Sequence, residues 1–417
     1  MTKLTPLLLS ALLPVIHAHS HDGTQQKPLS WDGPCLPGPI LHASHPSCVI
    51  IDEFPPDTPA DYNPSLYKPW THRPLCPSET PYCVYTSSKF ATHGISIITL
   101  PFSNATKIND TTAIRAIEVV MASDLSKKKL AAEPDPKPYE IRDIPGKGKG
   151  MIATRKIERG TVLMVEHAAI IADMVFPVRV RRLLGREMLK RGMKRLGAKG
   201  EGQLLELART SSNRDEVPAA EDVMKTNSFT VKISGKSYMG LFPRVARINH
   251  ACKPSAITRF DEETLSMTVR TFRDIEAGEE ITLSYSDFGL TFHERQRILR
   301  AKWGFECTCD ICSAPPAEIA ESDARRDQIN ELGVAVLKHV ENQDLKSAIK
   351  SHKDMMNAIE EEALAPHMGD YYEVMARLLA GTKNIKEAKK YVRLAIEEFK
   401  VAGEEKKELE AFLKVKE

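Results

Sequence analysis

Proline is spread unevenly along these 417 residues, and that unevenness limits the fold more than any other feature. From Pro34 to Pro77 a proline stands every few residues, including Pro37, Pro39, Pro46, Pro55, Pro56, Pro59, Pro64, Pro69 and Pro74. Each one fixes φ and removes a backbone donor, so this segment cannot form long helices and is expected to be loop-rich. Beyond Pro316 only Pro366 remains, and apolar residues recur at three- and four-residue spacing, as in Ala388, Tyr391, Val392, Leu394, Ala395 and Phe399. That is the periodicity of amphipathic helices. Between these ends, from Tyr139 to Ser286, short β-rich runs alternate with turn signals. The fold class is therefore α+β, and the length is that of two or three domains. A hydrophobic content of 42% with 27% charged residues allows a core of normal size and excludes both wholesale disorder and a multi-span membrane protein. Lys+Arg 58 against Asp+Glu 56 leaves +2, so no direct nucleic-acid binding is expected from bulk charge.

Residues 1–18 carry one positive charge at Lys3 and an apolar run from Leu7 to Ile16, ending at Ala18. The run is too short to span a bilayer and has the layout of a secretory signal peptide. Two glycosylation sequons, beginning at Asn104 and Asn109, agree with that layout. Cys35, Cys48, Cys76 and Cys83 lie in the proline-rich segment 19–133, where disulfides would supply what a small core cannot. Three connectivities are open, of which Cys35–Cys48 with Cys76–Cys83 is the local one. The expected location is the secretory pathway or the exterior, with nucleus or cytoplasm as the alternative.

Strands are expected within 81–100, at Gly150–Ile157, Thr161–Ile171, Phe229–Ile233, Leu265–Thr271 and Ile281–Tyr285, and a helix over 112–131. Pro134, Pro136 and Pro138 form a natural linker. A basic helical stretch within 172–226, from Arg179 to Arg195, interrupts the strands and is expected to present a solvated face, or at most a surface for an acidic partner. Asp370–Val401 has the layout of a helical hairpin, either plain or tetratricopeptide-like.

Four short stretches carry chemistry. Gly146-Lys147-Gly148-Lys149-Gly150 could pass for a dinucleotide fingerprint, but Pro145 and charged residues precede it and a β-like segment, not a helix, follows, so that reading fails. What remains is small residues that let a ligand approach backbone amides. Asn249-His250-Ala251-Cys252-Lys253-Pro254 and Gly278-Glu279-Glu280-Ile281-Thr282-Leu283-Ser284-Tyr285 are the second and third. The fourth is Cys307-Thr308-Cys309-Asp310-Ile311-Cys312. Three thiols in six residues need a fourth ligand for tetrahedral zinc, and Cys252 is the only other cysteine in this half of the chain. Local disulfides fit the C-x-C-x-x-C spacing poorly and would leave one thiol odd.

The order of these stretches, with Asn227-Ser228-Phe229 between the first and second and Trp303-Gly304-Phe305 leading into the fourth, resembles the SET-domain lysine methyltransferases. The likeness is to the branch with a cysteine-rich post-SET segment and a helical C-terminal domain. The MYND zinc finger of that branch is missing, because 172–226 holds no cysteine. Ala251 and Ser255 stand where the family has serine and asparagine. The resemblance implies small sheets with knot-like threading over 139–290, a post-SET zinc segment over 291–315 and helices over 316–417. It implies S-adenosylmethionine as methyl donor, a protein substrate with a target lysine, and structural zinc on Cys252, Cys307, Cys309 and Cys312. It places Lys147, Lys149, Asn227, Asn249 and His250 around the donor, Phe305 against its adenine, and Tyr285 as the catalytic residue between donor and acceptor. The competing expectation is a non-catalytic SET-fold interaction protein of the secretory pathway.

Overall fold

The computed structural model describes residues 67–101, 117–121, 130–211, 218–364 and 368–414. The leader 1–18, Cys35, Cys48, Asn104 and Asn109 lie outside the described residues. So does most of the helix expected over 112–131, of which 117–121 is helical. Cys76 and Cys83 are joined as a disulfide, one half of the local pairing.

Twelve described strands follow in chain order: β1 (Cys83–Ser87), β2 (Ile95–Thr99), β3 (Tyr139–Ile144), β4 (Gly148–Ala153), β5 (Val162–His167), β6 (Ile170–Asp173), β7 (Phe229–Ile233), β8 (Lys236–Leu241), β9 (Asn249–His250), β10 (Ala256–Asp261), β11 (Ser266–Thr271) and β12 (Glu280–Leu283). They form three small sheets, ordered β1-β2-β6-β8-β7, β10-β11-β5 and β3-β4-β12-β9. The run from Thr161 to Ile171, expected as one strand, is two. At Ala168 and Ala169 the chain turns from one sheet into another, Ala168 N–H bonding Leu265 O at 2.9 Å and Ala169 N–H bonding Leu241 O at 2.8 Å. β-Branched residues on both sides of this corner hide it from a hydrophobicity pattern, because both strands face cores.

The basic stretch forms α1 (Arg182–Lys194) and α2 (Gly197–Leu205), followed by α3 (Ala219–Asn227). Leu184, Met188, Leu189 and Met193 repeat with helical spacing and are buried in the same core as Val84, Ile98 and Ile170 of the five-stranded sheet. The opposite face is not simply solvated. Arg182 and Arg186 both pair with Glu221 of α3, a buried carboxylate, and Arg191 pairs with Glu187 at 2.9 Å. Two of the arginines thus hold the helices together, and Arg191 is paired within its own helix.

After α4 (Phe292–Trp303) come α5 (Pro316–Glu341), α6 (Leu345–Glu361), α7 (Met368–Gly381), α8 (Ile385–Ala402) and the short α9 (Lys407–Phe412). Asp370–Val401 spans most of the hairpin α7–α8, and α5–α6 is a second hairpin of matching construction. Asp344 and Asn384 cap α6 and α8 through their side chains. Gln343 and Lys383 just before them have φ of +59° and +63°. Ala348 and Ala388, each four residues past the cap, are fully buried where the helices meet. The C-terminal region also meets the sheets: Arg259 of β10 pairs with Glu404, between α8 and α9, at 3.0 Å, and Arg159, between β4 and β5, pairs with Glu398 of α8. No described helix is long and apolar enough to cross a membrane.

Candidate active site

The β3-β4-β12-β9 sheet brings the separated sequence motifs together. β3 and β4 form a hairpin with Gly146 in its turn and Gly148 opening β4, at φ +76° and +72°, a conformation that costs glycine little. Gly150 is needed for a different reason. A Cβ there would fall 2.2 Å from Ile144 Cδ1, 2.7 Å from Asn249 Nδ2 and 3.0 Å from Glu280 Oε1. The missing side chain makes room for a polar junction. Glu280 accepts from Asn249 Nδ2 at 2.9 Å on one oxygen and from Lys147 Nζ at 2.7 Å on the other. Glu280 therefore ties the glycine loop to the Asn-His motif. Lys149 points elsewhere, 3.9 Å from Asp143, and is half exposed.

β9 runs parallel to β12, pairing Asn249 with Thr282 and His250 with Leu283. Ser255 extends this crossing. Its N–H donates to Thr282 O at 3.1 Å and its Oγ accepts from Thr282 N–H at 3.0 Å, while its carbonyl accepts from Phe272 N–H at 3.1 Å. A buried serine thus joins the two chain segments at the position where the family pattern has asparagine.

β12 ends at Leu283, two residues before Tyr285, although the alternation reads as strand through the tyrosine. Leaving the strand lets Tyr285 N–H donate to His250 Nδ1 at 2.9 Å and its hydroxyl donate to Ile248 O at 2.7 Å. The ring sits among Trp303, His250 and Phe305, with centroids 5.2, 5.4 and 6.5 Å away. Burial, reinforced by the Glu280 carboxylate, raises the phenol far above its ordinary range, so Tyr285 stays neutral. Burial also pulls His250 down to about 4, so its ring is neutral too. Because Nδ1 accepts from Tyr285, the His250 proton belongs on Nε2, which lies 3.4 Å from Cys252 Sγ. Both ring nitrogens are engaged inside the protein, so the side chain is a strut between sulfur and Tyr285.

Asn227 closes α3, its amide donating to Ala208 O at 2.8 Å and Val223 O at 2.9 Å. One residue earlier, Thr226 O accepts from Trp303 Nε1 at 3.1 Å. Trp303 therefore links the end of α3 to Tyr285. The helix that carries it is defined at both ends, by a capping box between Thr291 and Glu294 and by Gly304 in the left-handed region at φ +72°. Phe305 follows directly, half-buried beside His250.

Gln296 of α4 grips Cys307 from both sides, donating to its carbonyl and accepting from its N–H, each at 2.8 Å. The sulfurs of Cys252, Cys307, Cys309 and Cys312 all lie within 4.8 Å of one another. Cys252 Sγ is 3.8 Å from Cys307 Sγ and 3.5 Å from Cys312 Sγ. A disulfide would bring two sulfurs to about 2.05 Å. Zinc at about 2.3 Å from four tetrahedral sulfurs would separate them by roughly 3.8 Å. The spacing is that of metal ligands, and the donor set fits structural zinc.

The sequence motifs alone did not reveal Glu280 as a junction, or Gln296 and Trp303 as supports. Glu279 and Glu280 read as turn residues. The four-residue spacing of Arg295, Leu299 and Trp303 was the available signal for the face of α4 that meets the sulfur cluster.

Alongside these small sheets, with their parallel β9–β12 crossing, the tyrosine at its exit and the cysteine cluster beyond, residues 148–286 match the SET domain model. The chain's relatives include histone-lysine N-methyltransferase set5 of Schizosaccharomyces pombe, 30% identical over 203 residues, or 46% of this chain and 56% of that protein. Human histone-lysine N-methyltransferase SMYD3 is 35% identical over 105 residues, covering 23% of this chain and 24% of its own. Human N-lysine methyltransferase SMYD2 is 33% identical over 102 residues, covering 24% and 23%. The chain thus spans about half of the fission-yeast relative and about a quarter of each human one.

Proposed function

We propose that this chain is a protein-lysine N-methyltransferase that moves the methyl group of S-adenosylmethionine to a lysine side chain. The observation that carries the reading is Tyr285, a neutral, partly buried side chain held at both its N–H and its O–H beside the Asn249-His250 strand and the bare glycine hairpin. The names of the relatives support the same reaction.

The bound donor would supply an electrophilic methyl on a sulfonium. The chain's own residues do the rest. The backbone around Lys147 and Gly148, with Asn249 and Asn227, would bind the amino-acid and nucleoside ends, and Phe305 would cover the adenine. Lysine attacks only as the neutral amine, yet its ordinary pKa is ~10.4. An apolar site walled by Tyr285, Trp303 and Phe305 disfavours the ammonium by desolvation. Tyr285 and the Ile248 carbonyl to which it is bonded orient the amine, and such positioning accounts for much of the rate in a bimolecular transfer. Zinc on the four cysteines is structural, because four thiolates leave no open coordination position. The helices from Pro316 to Phe412 would place a surface beside the strands for the protein substrate.

Calorimetry tests the reading. S-adenosylmethionine should bind the purified chain at one site, and Asn249→Ala should weaken it by ~1–3 kcal/mol through unpaired buried hydrogen bonds. No heat of binding with the folded wild type would overturn the proposal and favour the interaction-protein reading. Location is tested separately. The Cys76–Cys83 disulfide supports an oxidising compartment, and the histone in the relatives' names supports the nucleus. Loss of mass on N-glycosidase treatment, at Asn104 or Asn109, decides for secretion; an unglycosylated chain with residues 1–18 intact decides against it.

A further inference from the structure

Helix α4 presents Arg295, Leu299 and Trp303 along one face, four residues apart. Leu299 is fully buried against Cys252 and Cys307. Arg295, one turn earlier, is fully buried as well, and with Arg326 it is among the largest fully buried side chains of the described residues. A guanidinium removed from water to that extent costs several kcal/mol unless anions or acceptors meet it.

The oxygen partners account for part of the fork only. Nη1 donates to Leu290 O and lies 3.6 Å from Asp323 Oδ1, a carboxylate about one-fifth exposed. Nε and Nη2 are buried and have no bonded partner among the described atoms. The side chains that meet this part of the fork are the sulfurs of Cys252 and Cys312, on the face where Leu299, one turn on, packs against Cys252 and Cys307. Buried donors facing a cluster of four thiols are an arrangement that makes sense once the thiols ionise. Four thiolates around a divalent zinc ion sum to a dianion, which in this buried position needs compensating positive charge.

We propose that Arg295 is the internal counter-cation of the four-cysteine metal site, presenting Nε and Nη2 to the Cys312 and Cys252 sulfurs when the metal is bound. Two effects follow. The positive charge favours the metal-bound, deprotonated cluster over the protonated one. Hydrogen bonding to sulfur lone pairs also lowers their nucleophilicity, protecting the metal thiolates from electrophiles. The same side chain reaches Leu290 O and Asp323 of α5, so it couples the metal site to the junction with the helical domain. None of this depends on methyl transfer.

The test uses the full chain loaded with zinc and needs no activity assay. Arg295→Met keeps length and approximate volume but removes charge and donors; Arg295→Lys keeps charge and removes the fork. Competition with a chromophoric chelator should show Arg295→Met binding zinc ~10- to 100-fold more weakly, the range for losing a partner of a metal ligand. N-ethylmaleimide should alkylate the zinc thiolates of Arg295→Met several-fold faster, with Arg295→Lys between it and wild type. Asp323→Asn, which touches only the solvent-side edge of the guanidinium, should leave both readouts near wild type. Wild-type affinity and alkylation rate in Arg295→Met would overturn the assignment, as would an equal effect of Asp323→Asn. Should Arg295→Met fail to fold, Arg295→Lys decides. Wild-type alkylation with unchanged far-ultraviolet dichroism refutes the proposal, and faster alkylation supports it.

Discussion

Replacing Tyr285 by phenylalanine separates chemistry from packing at the proposed site. The ring contacts with Trp303, His250 and Phe305 survive, and so does the backbone bond from residue 285 N–H to His250 Nδ1. What disappears is one hydroxyl and its 2.7 Å bond to Ile248 O. A buried carbonyl left without its donor costs ~1–2 kcal/mol of stability. The volume change is too small to add much. Denaturant melts should therefore show a modest loss, and calorimetry should give a donor affinity close to wild type. Turnover on a lysine substrate should fall at least ~10-fold, corresponding to about 1.4 kcal/mol or more of transition-state stabilisation. The hydroxyl is asked to orient the amine during transfer, so the loss belongs in kcat, not in donor binding. Equal turnover for wild type and Tyr285→Phe would refute the assignment. A parallel fall of donor affinity and turnover would make Tyr285 a structural strut only.

Gly150→Ala should reduce donor affinity by at least ~10-fold, or about 1.4 kcal/mol, because the new methyl displaces Asn249 from Glu280; unchanged calorimetry would contradict this. In the helical domain, His352 donates from Nε2 to Tyr371 O at 2.8 Å, and burial pulls its pKa down to about 4. The neutral ring is favoured in the fold, so its stability contribution is whole above the unfolded value of ~6.5 and is lost as pH falls towards 4, to a ceiling of roughly 3 kcal/mol. Its ring protons should not titrate by NMR between neutrality and pH ~5, whereas a midpoint near ~6.5 would contradict the burial argument. Zinc analysis should give one equivalent per chain, with chelation freeing Cys252, Cys307, Cys309 and Cys312 while Cys76 and Cys83 stay unreactive until reduced. A chain purified with ample zinc but lacking the ion would contradict the metal reading.

What the sequence made legible is what is local. The cysteine trio, the Asn-His pair and the glycine run each sit within a few residues, and chemistry limits what such clusters can do. Cys252 was assigned by elimination and lies where the trio needs it. Contacts across sheets were not legible. Glu280 acquires its role from Asn249 and Lys147, 31 and 133 residues away, and nothing in a glutamate after a turn announces that. The corner at Ala168-Ala169 was missed because the apolar pattern continues through it while the partner strands change. The end of β12 before Tyr285 is not legible because bonds to the His250 ring and the Ile248 carbonyl, not side-chain alternation, lift the tyrosine from the strand. The second helical hairpin was missed because its likeness to the first lies in capping and backbone angles, with few identical residues. The basic helix was misjudged because composition counts arginines without showing that Glu221 neutralises two of them.

The account stands on methyl transfer to lysine, and one measurement addresses it. The full chain, incubated with S-adenosylmethionine and a lysine-containing peptide array that includes histone sequences, is followed by mass spectrometry of the peptides. The account predicts that selected lysines gain methyl groups, that arginines do not, and that the signal falls with Tyr285→Phe. A folded, zinc-loaded chain that binds the donor yet methylates no lysine would contradict it and leave a SET-domain protein that recognises partners without modifying them.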